Sequence, residues 1–166
     1  MLKVAIVVVS SSDSTGEEAS SSAVKEKIKE FEGEEVYYNV IPGEFQRIQE
    51  ELFNITERSR ADLVFTIGGT GFSHEDITPE ATMAVIEKET PGLTEFLRWK
   101  RFRDNPEVAL SRSRAGIRKS TLIINLPADV IAIRESLEAL IPLIPRGIGE
   151  LQDDSREFRL KMRLWE

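Results

Sequence analysis

The sequence predicts a three-layer α/β/α sandwich built on a largely parallel sheet, and three observations carry that expectation. Short apolar runs rich in β-branched residues, at 2–9, 63–67 and 121–126, read as strands buried on both faces. Between them apolar residues recur every three or four positions, as in helices with one buried face. Strand and helix alternate with no break in composition and no internal repeat, the rhythm of linked βαβ units. The 166 residues suit a single domain with a sizeable core. Residues 1–151 are expected to form it, with 152–166 as an extension.

Each element follows from its own residues. Residues 2–9 are almost wholly apolar, as in a central strand, and SSSDS at 10–14 follows at its C-terminal end, where open α/β sheets bind ligands. Thr15 and Glu18 have capping-box spacing, and the serines at 20–22 could equally start the helix lined by Val24, Ile28 and Phe31. Gly33 is a stop signal. A second strand, 35–41, ends at Pro42-Gly43. Phe45, Ile48, Leu52 and Ile55 give an amphipathic helix over 45–58. After the central strand, the order Thr78-Pro79-Glu80 is that of an N-cap, a first-turn proline and a first-turn acid, opening a helix over 79–88. Thr90-Pro91 repeats the cap–proline order, with Leu93, Phe96 and Leu97 inward, and Asp104-Asn105-Pro106 ends that helix. Residues 105–120 read as irregular. Val130, Ile133, Leu137, Leu140 and Ile141 line a last long helix, kinked or divided by Pro142 and Pro145. In the tail Phe158, Leu160, Met162 and Leu164 alternate with Arg159, Lys161 and Arg163, so 157–165 is expected to be an edge strand.

Composition narrows the function. A net charge of −7 argues against general nucleic-acid binding. With no cysteine, disulfides and a thiolate metal site are excluded, and the one histidine, His74, reads as an exposed loop residue rather than a structural-zinc ligand. No apolar stretch approaches the ~20 residues that span a membrane, and residues 4–9 are too short for a signal-peptide core. The chain reads as cytoplasmic. Between Arg98 and Lys119 eight basic residues stand against two acids, Asp104 and Glu107, which points to an anion. Arg98 to Arg103 read as the solvated face of a helix, and Arg112 and Arg114 as the better candidates.

The stretch around which the rest is organised is LVFTIGGTGFSHEDITPEATMAVI, beginning at Leu63. A strand runs straight into Gly68-Gly69-Thr70-Gly71, then into His74, Glu75 and Asp76, then into a helix start. Glycines after a strand let main-chain N–H groups approach phosphate oxygens, and a tight β–α turn without a ligand has the same look. The whole segment resembles the signature of the molybdopterin adenylyltransferase family: GGTG, a short spacer, Arg-Asp, then Thr-Pro-Glu-Ala. The run from Leu110 to Arg118, LSRSRAGIR, and the LIINLP ending at Pro127 resemble a second block of the same family, in the same order. The likeness covers residues 1 to about 151 and implies a molybdopterin-binding-type α/β domain.

The resemblance implies Mg²⁺-dependent transfer of AMP from ATP to molybdopterin, by a homotrimer or a dimer of trimers. Gly68, Gly69, Thr70 and Gly71 would cradle phosphates, Asp76 would hold the metal and act in catalysis, and Ser111 would act at the pterin site. Arg112, Asn125 and Pro127 would line the pocket, and Ser12-Asp13 resembles the family's Ser-Asp after the first strand, displaced by about two residues. Three departures stand out. Gly43 replaces the aspartate that follows proline in the family pattern, with Glu44 next to it, Glu75 replaces the arginine, and Ala128 replaces the glycine after Asn125-Leu126-Pro127. They lead us to expect low transfer with binding retained. Two other readings remain: a non-catalytic molybdopterin- or nucleotide-binding relative, and a nucleotide-processing enzyme of the competence-damage type.

Overall fold

A computed structural model describes residues 1–12 and 16–163, with side chains through residue 153. Six strands form one sheet: β1 (Leu2–Ser10), β2 (Gly33–Pro42), β3 (Leu63–Ile67), β4 (Lys88–Glu89), β5 (Ala115–Arg118) and β6 (Thr121–Leu126). Their order is β2-β1-β3-β6-β5-β4, with the first four parallel and β5 and β4 antiparallel additions. Helices α1 (Glu17–Glu30), α4 (Pro91–Phe102), α5 (Val130–Leu140) and α6 (Ile144–Arg163) supply one face, where Val24, Ile28, Leu97, Ile133 and Ile148 meet Ile6, Phe65 and Ile124. Helices α2 (Phe45–Asn54) and α3 (Thr78–Met83) cover the other, where Ile48, Leu52 and Ala81 meet Val7, Val64 and Ile123. Alternate residues of each buried strand thus feed opposite cores, the reason these strands are apolar throughout. The predicted three layers are present. Among the described residues no helix is long and apolar enough to cross a membrane.

Register decides where a ligand can sit. Val8 lies opposite Ile67, and Ile67 opposite Leu126, so β3 and β6 end level while β1 runs on beside β2 to Ser10. The chain leaves β1 for β2 on one side and β3 pairs on the other, which makes the β1/β3 edge a topological switch point with a natural crevice. Gly68 begins directly above it.

Several expectations are corrected. Helix α3 ends at Met83 rather than near 88, because the main chain beyond it is drawn to β5: Glu87 N–H donates to Ile117 O at 2.8 Å and Thr90 N–H to Ala115 O at 2.9 Å. The segment 105–120 is ordered into a 3-10 turn, Pro106–Leu110, and strand β5. A Cβ at Gly116 would lie 2.8 Å from Lys88 O, so glycine there permits the close approach of β4. The helix expected over 45–58 becomes α2 followed by a π-helical turn, Ile55–Ser59. Thr56 hydroxyl donates back to Leu52 O at 3.0 Å, which competes with the regular ladder. Thr15 and Asp13 lie outside the described residues. Pro142 and Pro145 do divide the last helix, into α5 and α6.

The tail is helical through Arg163, not an edge strand, and residues 164–166 lie outside the described part. From Glu150 to Arg163 the chain has no glycine, proline or β-branched residue. That stretch of good helix formers continues a helix already started at Ile144, and propagation overrides a period-two pattern.

Candidate functional site

The Gly68–Thr78 loop holds its shape by internal contacts. Gly68 and Gly69 have φ of 96° and 69°, the left-handed region. A Cβ on Gly69 would stand 2.2 Å from Thr78 Oγ1, and one on Gly71 would stand 2.8 Å from Asp76 Oδ2. Thr78 hydroxyl donates to Gly68 O at 2.9 Å, and Thr78 N–H to Gly69 O at 3.1 Å. Thr78 therefore folds back on the glycines instead of capping α3, which begins at Thr78 itself with Ile77 at the cap position. Asp76 Oδ2 accepts from Ser73 N–H at 2.9 Å and closes the turn. The loop thus leaves a cavity of ≈ 140 Å³ at the β1/β3 switch point, lined by Ser11, Gly16, Glu17, Gly68, Gly69 and Asp76. Oε1 of Glu17 is buried without a hydrogen-bond partner among the described residues.

Arg112 braces the far side of the loop. Its Nε donates to Gly71 O at 2.7 Å, its two terminal nitrogens reach Asp76 O and the Glu80 carboxylate, and its main-chain N–H donates to Thr70 O at 2.9 Å. One planar guanidinium thus joins both ends of the loop to α3, a task suited to its rigid fork of donors. Burial pushes the Glu80 carboxyl up. The Arg112 hydrogen bond, its own main-chain N–H and the Arg112 and Arg114 charges together outweigh that and hold it below its usual value.

Beyond Arg112 lies a wider hollow of ≈ 570 Å³, lined among others by Glu80, Met83, Arg98, Ser111, Ser113 and Arg114. Ser111 Oγ and Ser113 Oγ are 3.1 Å apart, and Arg114 is paired with Glu89 at 2.8 Å. Arg98 is half-buried and donates to Ser111 O and Ser113 O, each at 3.4 Å. It does not belong to a solvated face, because residues 111–113 cross that side of α4. Arg101 likewise pairs with Glu135 at 2.6 Å. Another hollow, ≈ 660 Å³, is at the opposite end of the strands beside Lys3, Asp62 and Thr121, away from the GGTG and SRSRAG motifs.

The remaining candidates separate. Asn125 is fully buried: its Nδ2 donates to Thr66 and Thr82 hydroxyls at 2.9 Å, and its Oδ1 accepts from Arg114 N–H at 3.0 Å. Its side chain fastens β3, α3 and the segment just before β5 together and has its hydrogen bonds met by protein. Pro127 lines, with Ser111, Arg98 and Asn125, a small gap of ≈ 50 Å³ behind the wide hollow. Ser12 hydroxyl donates to Glu75 Oε2 at 3.1 Å across the top of the cleft. A Cβ at Gly43 would be 3.1 Å from Ser10 O and 3.8 Å from Glu75 O, so the two departures noted in the sequence, at 43 and 75, adjoin in space. His74 and Glu44 are exposed. Sequence reasoning missed Glu17, Arg98 and Ser113 as site residues. The Ser-x-Ser spacing at 111 and 113 was the one available signal, since alternate residues of an extended segment face the same way.

Residues 5–146 match the family model described as a probable molybdopterin binding domain. The chain is 40% identical over 151 residues to the molybdopterin adenylyltransferase of Helicobacter pylori strain 26695, spanning 87% of this chain and 86% of that protein. Among solved structures it resembles the molybdopterin biosynthesis enzyme MoaB from Thermus thermophilus, with a TM-score of 0.84 and 38% identity over 91% of this chain and 96% of that one. It also resembles the molybdopterin biosynthesis Mog protein from Mycobacterium ulcerans, with a TM-score of 0.83 and 27% identity over 92% and 97% of the two chains.

Proposed function

The chain belongs to the molybdopterin-binding domain family, and from that membership we propose that it is a molybdopterin adenylyltransferase, transferring AMP from ATP to molybdopterin. One observation carries the reading beyond the likeness. The Gly68–Thr78 loop has a hollow on either side, and Asp76 and Arg112 tie the two together. A two-substrate transfer needs adjoining sites held in fixed relation, because alignment of the reactants supplies much of the rate.

In this transfer a phosphate oxygen of the pterin attacks the α-phosphorus of ATP. A new P–O–P bond forms, the α–β bond breaks, and pyrophosphate leaves with the electron pair. The chain's part is positioning and charge. Gly68 and Gly69 bring main chain to the cavity wall, Ser12 meets Glu75 across the top of the cleft, Thr70 holds the Arg112 main chain through its carbonyl, and Ser111 and Arg112 face the wider hollow. Asp76 and the unpartnered Glu17 oxygen line the same cavity, which fits a cation held partly by nucleotide phosphates. Among the described residues no group of three acids or histidines could hold a metal unaided, which suits Mg²⁺ arriving with its nucleotide. When bound, Mg²⁺ would neutralise charge developing on the phosphates. Asn125 and Pro127 serve by fixing the wall. The same family likeness supports a homotrimer or dimer of trimers in the cytoplasm.

Purified protein given ATP, Mg²⁺ and molybdopterin should form adenylylated pterin and pyrophosphate in equal amounts. Binding of both ligands with no pyrophosphate released would favour the non-catalytic relative instead, the reading that Gly43 and Glu75 support.

A further inference from the structure

Of the arginines that border the wide hollow, three differ sharply in their partners. Arg112 is spent on the loop and Glu80, and Arg114 pairs with Glu89. Arg98 has no ion-pair partner among the described residues. Its contacts are three neutral oxygens at long range: Thr94 Oγ1 at 3.3 Å, and Ser111 O and Ser113 O at 3.4 Å. Charge-assisted hydrogen bonds normally close to about 2.7–2.9 Å. A half-buried guanidinium with only loose neutral acceptors keeps unspent attraction for an anion, since burying a charge without a counter-charge is unfavourable. The side chain also touches both hollows on that side of the sheet, the ≈ 570 Å³ one and the small gap behind Ser111. In the same wall the Ser111 hydroxyl donates to Ser113 Oγ at 3.1 Å, which leaves the pair one hydroxyl hydrogen to offer.

We infer that Arg98, with the Ser111 and Ser113 hydroxyls, forms an oxyanion subsite in the wide hollow, separate from the Gly68–Gly71 cradle and suited to a phosphate or carboxylate group of a ligand. The inference rests on this wall alone and not on adenylyl transfer, so either can fail without the other. Arg98 comes from α4 and the serines from the segment before β5, so the subsite is assembled only in the folded chain. Its cation exchanges long contacts with carbonyls for shorter ones with the anion.

The test uses full-length ¹⁵N-labelled protein and titrations with inorganic phosphate, pyrophosphate and acetate, read from the Arg98 Nε–H signal and the amides of Ser111, Ser113, Gly68 and Gly69. A phosphate subsite gives saturable shifts at Arg98, Ser111 and Ser113 with phosphate or pyrophosphate, and acetate reports whether carboxylates share it. Arg98→Gln should weaken that response at least tenfold, and Arg98→Lys should retain part of it. Arg103→Gln, at an exposed position nearby in the chain, should change nothing. If all three anions leave the wild-type Arg98 signal unmoved, the inference is wrong. Equal binding by a folded Arg98→Gln protein overturns it as well. The wild-type signal decides the matter even if Arg98→Gln unfolds.

Discussion

The two hollows beside the Gly68–Thr78 loop are built by opposite means. The narrow one, at the β1/β3 switch point, is walled by the ends of β1 and β3, the start of α1 and the glycine turn, and its shape depends on glycines packed against Thr78 and Asp76. The wide one is walled by long polar side chains from α3, α4 and the segment before β5. Glycines with no room for a side chain tolerate almost no substitution, whereas a wall of side chains can be retuned one residue at a time. The loop is therefore where changes should be structural, and the wide hollow is where they should be graded.

The sharpest break of this contrast is Gly69→Ala. A methyl group at φ 69° and 2.2 Å from Thr78 Oγ1 must move the loop or α3, and is expected to cost about 2–4 kcal/mol in urea unfolding. Its nucleotide affinity should fall with it. A stability unchanged within about 0.5 kcal/mol, the scatter of neutral surface changes, would show that the loop is softer than described.

Arg112→Lys comes next, because it keeps the charge and removes the fork that joins Gly71, Asp76 and Glu80. AMP transfer is expected to drop by about 10²-fold, as when reacting groups are misplaced by an ångström, with a loss of stability of about 1–2 kcal/mol. Full transfer by the lysine variant would mean that charge alone matters there.

The pair Gly43→Asp with Glu75→Arg tests the cleft's rim. Position 43 is outside the left-handed region, so aspartate is conformationally acceptable, although its Cβ contact with Ser10 O at 3.1 Å requires a small shift. Transfer should rise about tenfold, or about 1.4 kcal/mol of transition-state stabilisation. A loss of transfer would instead identify the Ser12–Glu75 contact as the functional arrangement, with Glu44 the next acid to substitute.

The smallest effect is that of acid. Glu80 sits below its ordinary value when folded, so its contribution is fully present above the usual glutamate range near pH ~4.3 and fades as pH falls through the lower folded value. An NMR titration of the Glu80 carboxyl should therefore find its midpoint below that of an unfolded glutamate. Arg112→Lys should move it upward. A midpoint at the unfolded value would mean that the Arg112–Glu80 contact is loose in solution.

What the sequence revealed follows the same division. Buried strands and the helix faces were legible because period and burial are local properties, and GGTG with Asp76 was legible as a turn. Asn125 was read as pocket lining and does line the small gap beside Pro127, but the engagement of its amide by Thr66, Thr82 and the Arg114 main chain, partners distant in sequence, was not legible. Arg98 was read as solvated because nothing in α4 indicates that residues 111–113 cross over it. The tail misled for another reason: its alternation was genuine, but it follows a helix that the local residues favour extending. Pairing between distant segments has no periodic signature, and the wide hollow is made of such pairings.

The most direct test of the central claim is a single turnover with protein in excess over ATP labelled at the α-phosphate, together with molybdopterin and Mg²⁺, comparing wild type with Asp76→Asn. The substitution keeps the side chain's shape and an acceptor oxygen for Ser73 N–H while removing its charge. Label is expected to pass from ATP to the pterin on the wild-type enzyme, and at least tenfold more slowly on the variant despite an unchanged fold. Label remaining in ATP on wild-type protein that binds both substrates, or equal transfer by Asp76→Asn, would contradict that claim.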